Sequence, residues 1–265
     1  MRLGRSLVAI ALGGCTQVLG LDPTERRDGR TVSPDAPDDV DCTSCPRLVA
    51  NWHFEGDLAD ATGAHPAMAV GEGLGYAPDE AGTGMALYIP TGGTGYAFVA
   101  DSPAFDLPAG RVTLRFHVGA TSPTADLGLV SRDANGTTTG GHLTLRVSYN
   151  RRVVLRIQRM SDPQVSAFRC TADPLTAGWH DVEAEFGPGG LVLRVDGAVA
   201  TGTTHTNQSG TVLACTDPWT LGIDGNDNPW VIGALTAVAV EGTGQPVGSI
   251  AADVSIDEIA IWELP

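Results

Sequence analysis

The chain has 265 residues and a formal net charge of −15, from 31 acidic residues against 16 lysines and arginines. A field of this sign repels nucleic acids and anionic lipid surfaces and favours neutral or cationic ligands, so nucleic-acid binding is excluded. The 34 glycines and 17 prolines punctuate the chain at turns and predict many short strands rather than long helices.

The N-terminus has the pattern of an export signal. Arg2 and Arg5 precede the apolar run Leu7–Leu12, which is too short to span a bilayer as a helix. The next step, Leu12-Gly13-Gly14-Cys15, resembles the cleavage site of bacterial lipoproteins. The resemblance implies a signal peptide over residues 1–15, a lipid on Cys15, and an exported protein held at the outer membrane or cell surface by that anchor alone. The alternative is a plain secretory signal with an incidental cysteine.

Residues 16–46 are polar, dotted with proline and acidic near their end, which predicts a disordered tether before a folded domain at 47–265. Lipidation of Cys15 leaves four cysteines, for which three pairings are open. The simplest pairing joins Cys42 to Cys45 and Cys170 to Cys215 in an oxidising compartment. Reading the first pair as a zinc or redox site is weaker, because no second pair supplies further ligands and Pro46 indicates a loop.

The folded domain shows strand after strand. The stretch Arg111–Val118 alternates apolar and polar residues, and HLTLRVSY and VVLRIQR form a predicted hairpin around the turn NRR. A second hairpin joins DVEAEF to LVLRVDG through the turn Gly187–Gly190. In VSIDEIAIWEL the alternation slips at Asp257-Glu258, which predicts a bulge or kink. A dozen or so short strands predict one two-sheet sandwich.

Five segments in order resemble one family. They are LVANWHFEGDLADATGAHPA, GTGMALYIPTGGTGYAFVADSPAFDL, RVTLRFHV, AGWHDVEAEFGPGGLVLRVDGAVA and VSIDEIAIWEL. Together, over about residues 48–265, they are similar to laminin G-like, concanavalin A-like jelly-roll domains. The resemblance implies an all-β, antiparallel jelly roll of two sheets. Members of this family bind sugars, proteins or calcium, and some are enzymes, so the resemblance indicates function only broadly.

Three acids, Asp181, Glu183 and Glu185, share one face of a predicted strand. Their spacing is compatible with a retaining glycosidase, and some concanavalin A-like glucanases carry Glu-x-Asp-x-Glu on one strand. This chain departs from that pattern at the first two positions, and the apolar residues of the strand lie on its opposite face. Because Arg194 on the returning strand is expected opposite one of the acids, we interpret the row as a solvated face.

Calcium is the one cofactor that the resemblance suggests, as a structural ion bridging the first and last strands. In this sequence the candidate ligands are Glu55, Asp57 and Asp60 early and Asp257 late, since carboxylates are the ligands calcium prefers. The alternative is that these acids face solvent or cap turns.

A second candidate site surrounds the segment DGNDNPW. Tryptophan rings beside Asp and Asn side chains suit carbohydrate recognition, whereas Trp52, Trp179 and Trp262 are expected in the core. The alternative is an Asx-rich turn and an edge tryptophan. The candidate ligand-binding residues are Trp219, Asp224, Asn226, Asp227, Asn228 and Trp230.

The leading hypothesis is therefore a lipid-anchored, non-catalytic module that recognises a carbohydrate or a surface protein outside the cytoplasm. The alternatives are a glycoside hydrolase or lyase that uses Asp181, Glu183 and Glu185, and a structural protein of the cell envelope.

Overall fold

The computed structural model describes residues 44–121, 123, 126–132, 142–159, 165–207, 210–216, 223, 228–234 and 254–265. The chain divides between Cys42 and Thr43, and every described residue belongs to the second unit, Thr43–Pro265. The proposed lipidation site Cys15 lies outside the described residues. In the described part of the chain, no helix has the length and apolar character needed to cross a membrane.

The described unit is almost entirely β-structure, as the punctuation by glycine and proline predicts. Its one helical element is a 3₁₀ turn at Pro103–Phe105. The strands are β1 (Arg47–Trp52), β2 (Met68–Val70), β3 (Gly75–Pro78), β4 (Met85–Ile89), β5 (Tyr96–Val99), β6 (Gly110–Val118), β7 (Leu127–Arg132), β8 (His142–Val147), β9 (Val153–Arg159), β10 (Val165–Cys170), β11 (Gly178–Phe186), β12 (Val192–Val195), β13 (Ala198–Val199), β14 (Thr204–Thr206), β15 (Val212–Ala214), β16 (Trp230–Ile232) and β17 (Val254–Glu263).

Two large antiparallel sheets form a sandwich, which confirms the predicted fold class. Sheet A has the order β13-β12-β11-β6-β17-β4-β3, and β1 also pairs with β17. Sheet B has the order β10-β9-β8-β7-β16-β5-β2, and β14 and β15 form a separate hairpin. Both hairpins predicted from the sequence are present, as β8–β9 and β11–β12.

Strand β6 shows how the sequence pattern builds the core. Its apolar residues Val112, Leu114, Phe116 and Val118 are buried between the sheets, while the polar residues between them lie half-buried on the other face. This is the alternation expected of a strand with one face in a core.

The predicted irregularity in β17 is also present. Pairing with β6 shifts register between Asp257 and Ala260, and Glu258 has a positive φ of 42°. The extra residue resets the alternation, so that both Ile256 and Ile259 are fully buried. The bulge thus lets β17 pair with β4 along its first half and with β1 along its second.

A disulfide ties the β14–β15 hairpin to the edge strand of sheet B. Cys170 ends β10, Cys215 follows β15, and the two form the bond that the cysteine count suggests. Cys45 is also disulfide-bonded, and its predicted partner Cys42 lies outside the described residues.

Candidate binding face on sheet A

The outer face of sheet A carries four side chains in register across four neighbouring strands. Trp179 on β11 lies opposite His117 on β6, His117 opposite Ser255 on β17, and Ser255 opposite Tyr88 on β4. Their neighbours along each strand, such as Phe116, are buried in the core. We call these four residues the Trp179–Tyr88 row.

The row combines aromatic surface with neutral polar groups. The rings of Trp179 and His117 lie 5.6 Å apart and tilted, and the Arg115 guanidinium lies 5.8 Å from the centre of the Trp179 ring. Burial, with a smaller contribution from the charge of His180, lowers the pKa of His117, so its ring is uncharged at neutral pH. Trp179, His117 and Tyr88 are half-buried, and Ser255 between His117 and Tyr88 is buried. Such a surface can pack against the apolar face of a ligand and hydrogen-bond to its hydroxyl groups.

The carboxylates of Glu183 and Glu185 are paired with arginines. Arg111 Nη2 lies 2.6 Å from Glu185 Oε1, and Arg194 contacts both glutamates, with Nη1 3.1 Å from Glu185 Oε2. Partial burial alone would raise the pKa of Glu185, but the hydrogen bonds from Arg194 and Arg111 outweigh it and hold the pKa below its usual value. Glu185 is therefore kept ionised, whereas a general acid needs a raised pKa.

Beside the Trp179–Tyr88 row lies a second row in register, formed by Asp181, Arg115 and Asp257. Arg115 Nε is 3.6 Å from Asp181 Oδ1, and its Nη2 contacts Glu80. The predicted acid row on β11 therefore exists, but each of its members faces an arginine. This arrangement suits an ion-paired surface better than a pair of catalytic carboxyl groups.

Two of the four predicted calcium ligands lie in a common acidic cluster. Glu55 Oε1 and Asp79 Oδ2 lie 2.6 and 2.8 Å from the position that a Cβ would occupy on Gly84. Burial raises the pKa of Asp257 to about 6, and the charges of Glu258, Asp79 and Glu55 add to the rise. Asp79 also belongs to this cluster, and no local sequence pattern predicts it, because the β3–β4 turn is what brings it beside Glu55.

The other two predicted ligands serve the loop after β1. Asp57 Oδ1 accepts a hydrogen bond from the Ala59 amide at 2.9 Å. The carboxylate of Asp60 accepts from four backbone amides and one hydroxyl, those of Asn51, Thr62, Ala64, His65 and the Thr62 side chain. Although burial opposes it, this set of donors lowers the pKa of Asp60. Asp60 is thus a turn-capping residue, with no oxygen left for a cation.

The fit of the acidic cluster to calcium is therefore partial. Among the described residues, one set of three metal-ligating atoms lies within 4.8 Å of one another, and it consists of Cys170, His205 and Cys215. The two sulfurs of that set are bonded to each other, so they are not thiolate ligands. Glu55, Asp79 and Asp257 share one electrostatic neighbourhood, but a cation would have to draw their oxygens together. Calcium binding stays a prediction.

Trp230 lies in the core and not at the periphery that the sequence predicts. Trp230 is fully buried, and its ring packs 5.9 Å from Phe105, because β16 is inserted between β5 and β7 in sheet B. The expectation of a peripheral Trp230 is wrong, and Asn228 beside it is only 2% exposed. Trp219, Asp224, Asn226 and Asp227 lie outside the described residues. Trp52 is in the core as expected.

Trp179 and Trp262, expected in the core, are half-buried on the outer face of sheet A. A signal for this was present in the sequence. Trp179 is in phase with Asp181, Glu183 and Glu185, and out of phase with the apolar residues of β11, so the alternation already assigned it to the polar face.

An open cavity of about 350 Å³ lies at the end of β11 and β12, lined in part by His180, Asp196 and Val199. His180 Nδ1 is 2.8 Å from Asp196 Oδ2, and Nε2 is 3.1 Å from the Thr176 carbonyl. Both ring nitrogens are thus engaged within the protein. The lining contains no tryptophan, tyrosine or phenylalanine ring.

No protein-family model matches the chain, and no curated protein sequence matches it. Solved structures do. Domain 4 of AbnA, a GH43 extracellular arabinanase from Geobacillus stearothermophilus in complex with arabinotriose, matches with a TM-score of 0.52 and 15% identity over 83% of this chain and 93% of that one. A botulinum neurotoxin type C chain, from work on cell entry dependent upon interaction with two ganglioside molecules, matches with a TM-score of 0.52 and 10% identity over 83% of this chain.

The botulinum neurotoxin serotype D binding domain is similar too, with a TM-score of 0.51, 12% identity and 82% of this chain covered. This chain spans about half the length of the two toxin chains, 48% of each. At such low identities the likeness shows the fold, an all-β sandwich of the jelly-roll kind. It supports the predicted fold class and leaves function to the chemistry of the site.

Proposed function

We propose that the protein is a non-catalytic, laminin G-like module that binds a carbohydrate through the Trp179–Tyr88 row. The observation that carries the proposal is the row itself, which places two half-buried aromatic rings and an uncharged imidazole on one sheet face, with the buried Ser255 between His117 and Tyr88. Sugars present an apolar ring face with hydroxyl groups around it, and this combination matches both.

Two further observations support this ligand class. The acids of β11 are neutralised by Arg111, Arg115 and Arg194, so the face can contact a neutral ligand without leaving charges unpaired. The arabinanase domain of similar fold was solved with arabinotriose bound, which supports saccharides over a surface protein as the ligand.

The test is binding of the full-length protein to a panel of oligosaccharides, with Trp179→Ala and Trp262→Ala compared. Both tryptophans are half-buried on the same face, but Trp262 lies in the row of Arg111 and Glu185. We expect Trp179→Ala to weaken binding at least about tenfold, equivalent to about 1.4 kcal/mol, and Trp262→Ala to retain it. Equal binding by all three proteins, or no binding by the wild type, would contradict the proposal.

The alternative is a glycoside hydrolase or lyase that uses the acids of β11. It requires depolymerisation of a bound glycan that disappears in Glu185→Gln. We expect no depolymerisation by the wild type, since the arginines on both sides keep Glu185 ionised.

We further propose that the protein is exported and anchored by lipid on Cys15, with residues 16–46 as a tether to the domain at 47–265. The buried Cys170–Cys215 disulfide supports an oxidising compartment. Metabolic labelling with palmitate tests the anchor: label should enter the wild type and be absent from Cys15→Ala. Labelling of both, or of neither, would argue against it.

A further inference from the structure

Charge is unevenly distributed along the outer face of sheet A. Toward β12, Arg111 and Arg194 balance Glu183 and Glu185 one for one. Toward β4 the balance is lost. There Glu258, Asp79 and Glu55 each act on Asp257, and His53 lies 3.8 Å from Glu258.

The guanidinium nearest to Trp179 is already matched by acids. Arg115 contacts Glu80 and Asp181 and lies opposite Asp257 in the strand register. His117 adds no positive charge at neutral pH, because burial and His180 lower its pKa. Among the described residues around the row, a carboxylate on a ligand would therefore meet no unmatched positive charge.

The acidic cluster is close enough to the row to act on a ligand there. Asp257 lies two residues from Ser255 on the same strand face, a spacing of roughly 6.6–6.8 Å. Glu55 and Asp79 meet beside Gly84, directly before β4, and β4 pairs with the first half of β17, so both acids lie on the Asp257 side of the sheet. The spacing of Asp257 from Ser255 is within the Debye length of about 8 Å at physiological salt, so screening does not remove the repulsion that Asp257 exerts on a ligand carboxylate.

We infer that the Trp179–Tyr88 row selects uncharged saccharides and rejects saccharides that carry carboxylates, and that Asp79 and Glu55 set this selectivity. The inference rests on the proposed function, since it names the ligand class of the same face. It gives Asp79 and Glu55 a role in selection without contact to the sugar.

The test compares matched neutral and acidic probes, lactose against sialyllactose and oligogalactan against oligogalacturonate, on the full-length protein. The variant is Asp79→Asn, which preserves the side-chain oxygen that accepts from the Thr83 amide. The control is Glu263→Gln, which removes one negative charge from the far end of β17, where Glu263 pairs with Arg47.

We expect the wild type to bind the neutral member of a pair at least about tenfold more tightly. Asp79→Asn should reduce this ratio by roughly threefold, with unchanged binding of the neutral sugar, and Glu263→Gln should leave the ratio as it is. Equal binding of both members, or a ratio unaffected by Asp79→Asn, overturns this inference and leaves the proposed function standing. Binding of no probe overturns the proposed function and this inference with it.

Discussion

The strands of both sheets show the same alternation of apolar and polar residues, but the outer faces of the two sheets differ in what covers them. Strand β6 of sheet A alternates buried and half-buried residues, so its polar side chains reach solvent. Strand β8 of sheet B alternates in sequence as well, but all six of its residues are buried, including His142, Thr144 and Arg146. The cover includes the β14–β15 hairpin, whose His205 lies 3.4 Å from Arg146.

The difference shows in how each face satisfies its polar groups. On sheet A, arginines pair with acids at the edge of water, where such pairs contribute little stability. On sheet B, Arg146 Nε lies 3.1 Å from the buried Asp126, and Ser131 donates to the Leu143 carbonyl. Buried polar groups must be paired, so sheet B uses its polar residues to hold its cover. On sheet A the arginines and acids pair with one another at the half-buried surface instead.

Substituting one arginine in each sheet should give the largest contrast. Arg132 of β7 has a fully buried side chain, with Nη2 2.8 Å from Asp101 and 3.2 Å from Asp106. Its Nε donates to the Asn228 carbonyl. Arg132→Ala leaves these groups without their donor, and we expect a loss of about 3–5 kcal/mol in the free energy of unfolding. Arg194→Ala on sheet A should cost less than about 1 kcal/mol.

Chemical denaturation of the two variants beside the wild type measures both effects. Similar losses for Arg132→Ala and Arg194→Ala would mean that burial of the guanidinium does not set the cost of removing it.

Removing the disulfide should loosen the β14–β15 hairpin that covers sheet B and leave sheet A unaffected. Cys170→Ala with Cys215→Ala frees a loop closed over a sequence separation of 45, and we expect a loss of about 2–4 kcal/mol. Burial and the charges of Arg146 and Arg152 lower the pKa of His205 to about 4, so loosening of the hairpin should raise that pKa toward its ordinary value. NMR titration of His205 measures the shift.

Amide hydrogen exchange gives a second readout for the same double variant. Exchange should accelerate in β8 and stay slow in β6. An unchanged His205 titration with β8 still protected would show that the cover holds without the disulfide.

Sequence periodicity predicts most of this fold, because strand alternation, turn glycines and the phase slip at Asp257-Glu258 are local signals. Periodicity also predicts that Trp179 lies on the polar face of β11, because it is in phase with Asp181. It does not reveal which face is covered, so the full burial of Trp230 depends on β16 entering sheet B between distant strands. Asp79 and Glu55 lie side by side because β3 pairs with β4, and no local sequence pattern predicts this contact.

The smallest effect on stability is expected from substituting Asp257, which lies at the end of sheet A where acids outnumber arginines. Its pKa is about 6 in the folded protein, above the value near 3.9 of an unfolded chain. The folded state therefore binds more protons between these values, and stability falls as pH rises through this window. Because the side chain is partly exposed, we expect Asp257→Asn to stabilise the protein by only about 1 kcal/mol near pH 8 and to have no effect near pH 3.5.

Thermal unfolding at the two pH values measures this, with Asp181→Asn as the control. Asp181 lies in the same row but faces Arg115, so its substitution should give no gain in stability at either pH.

Millimolar calcium near pH 8 provides the last comparison. If Glu55 and Asp257 hold the predicted ion, calcium should raise the Tm of the wild type and not that of Asp257→Asn, since binding to the folded state stabilises by mass action. A stabilised Asp257→Asn with no calcium response in the wild type would identify the cluster as electrostatic strain without a cation.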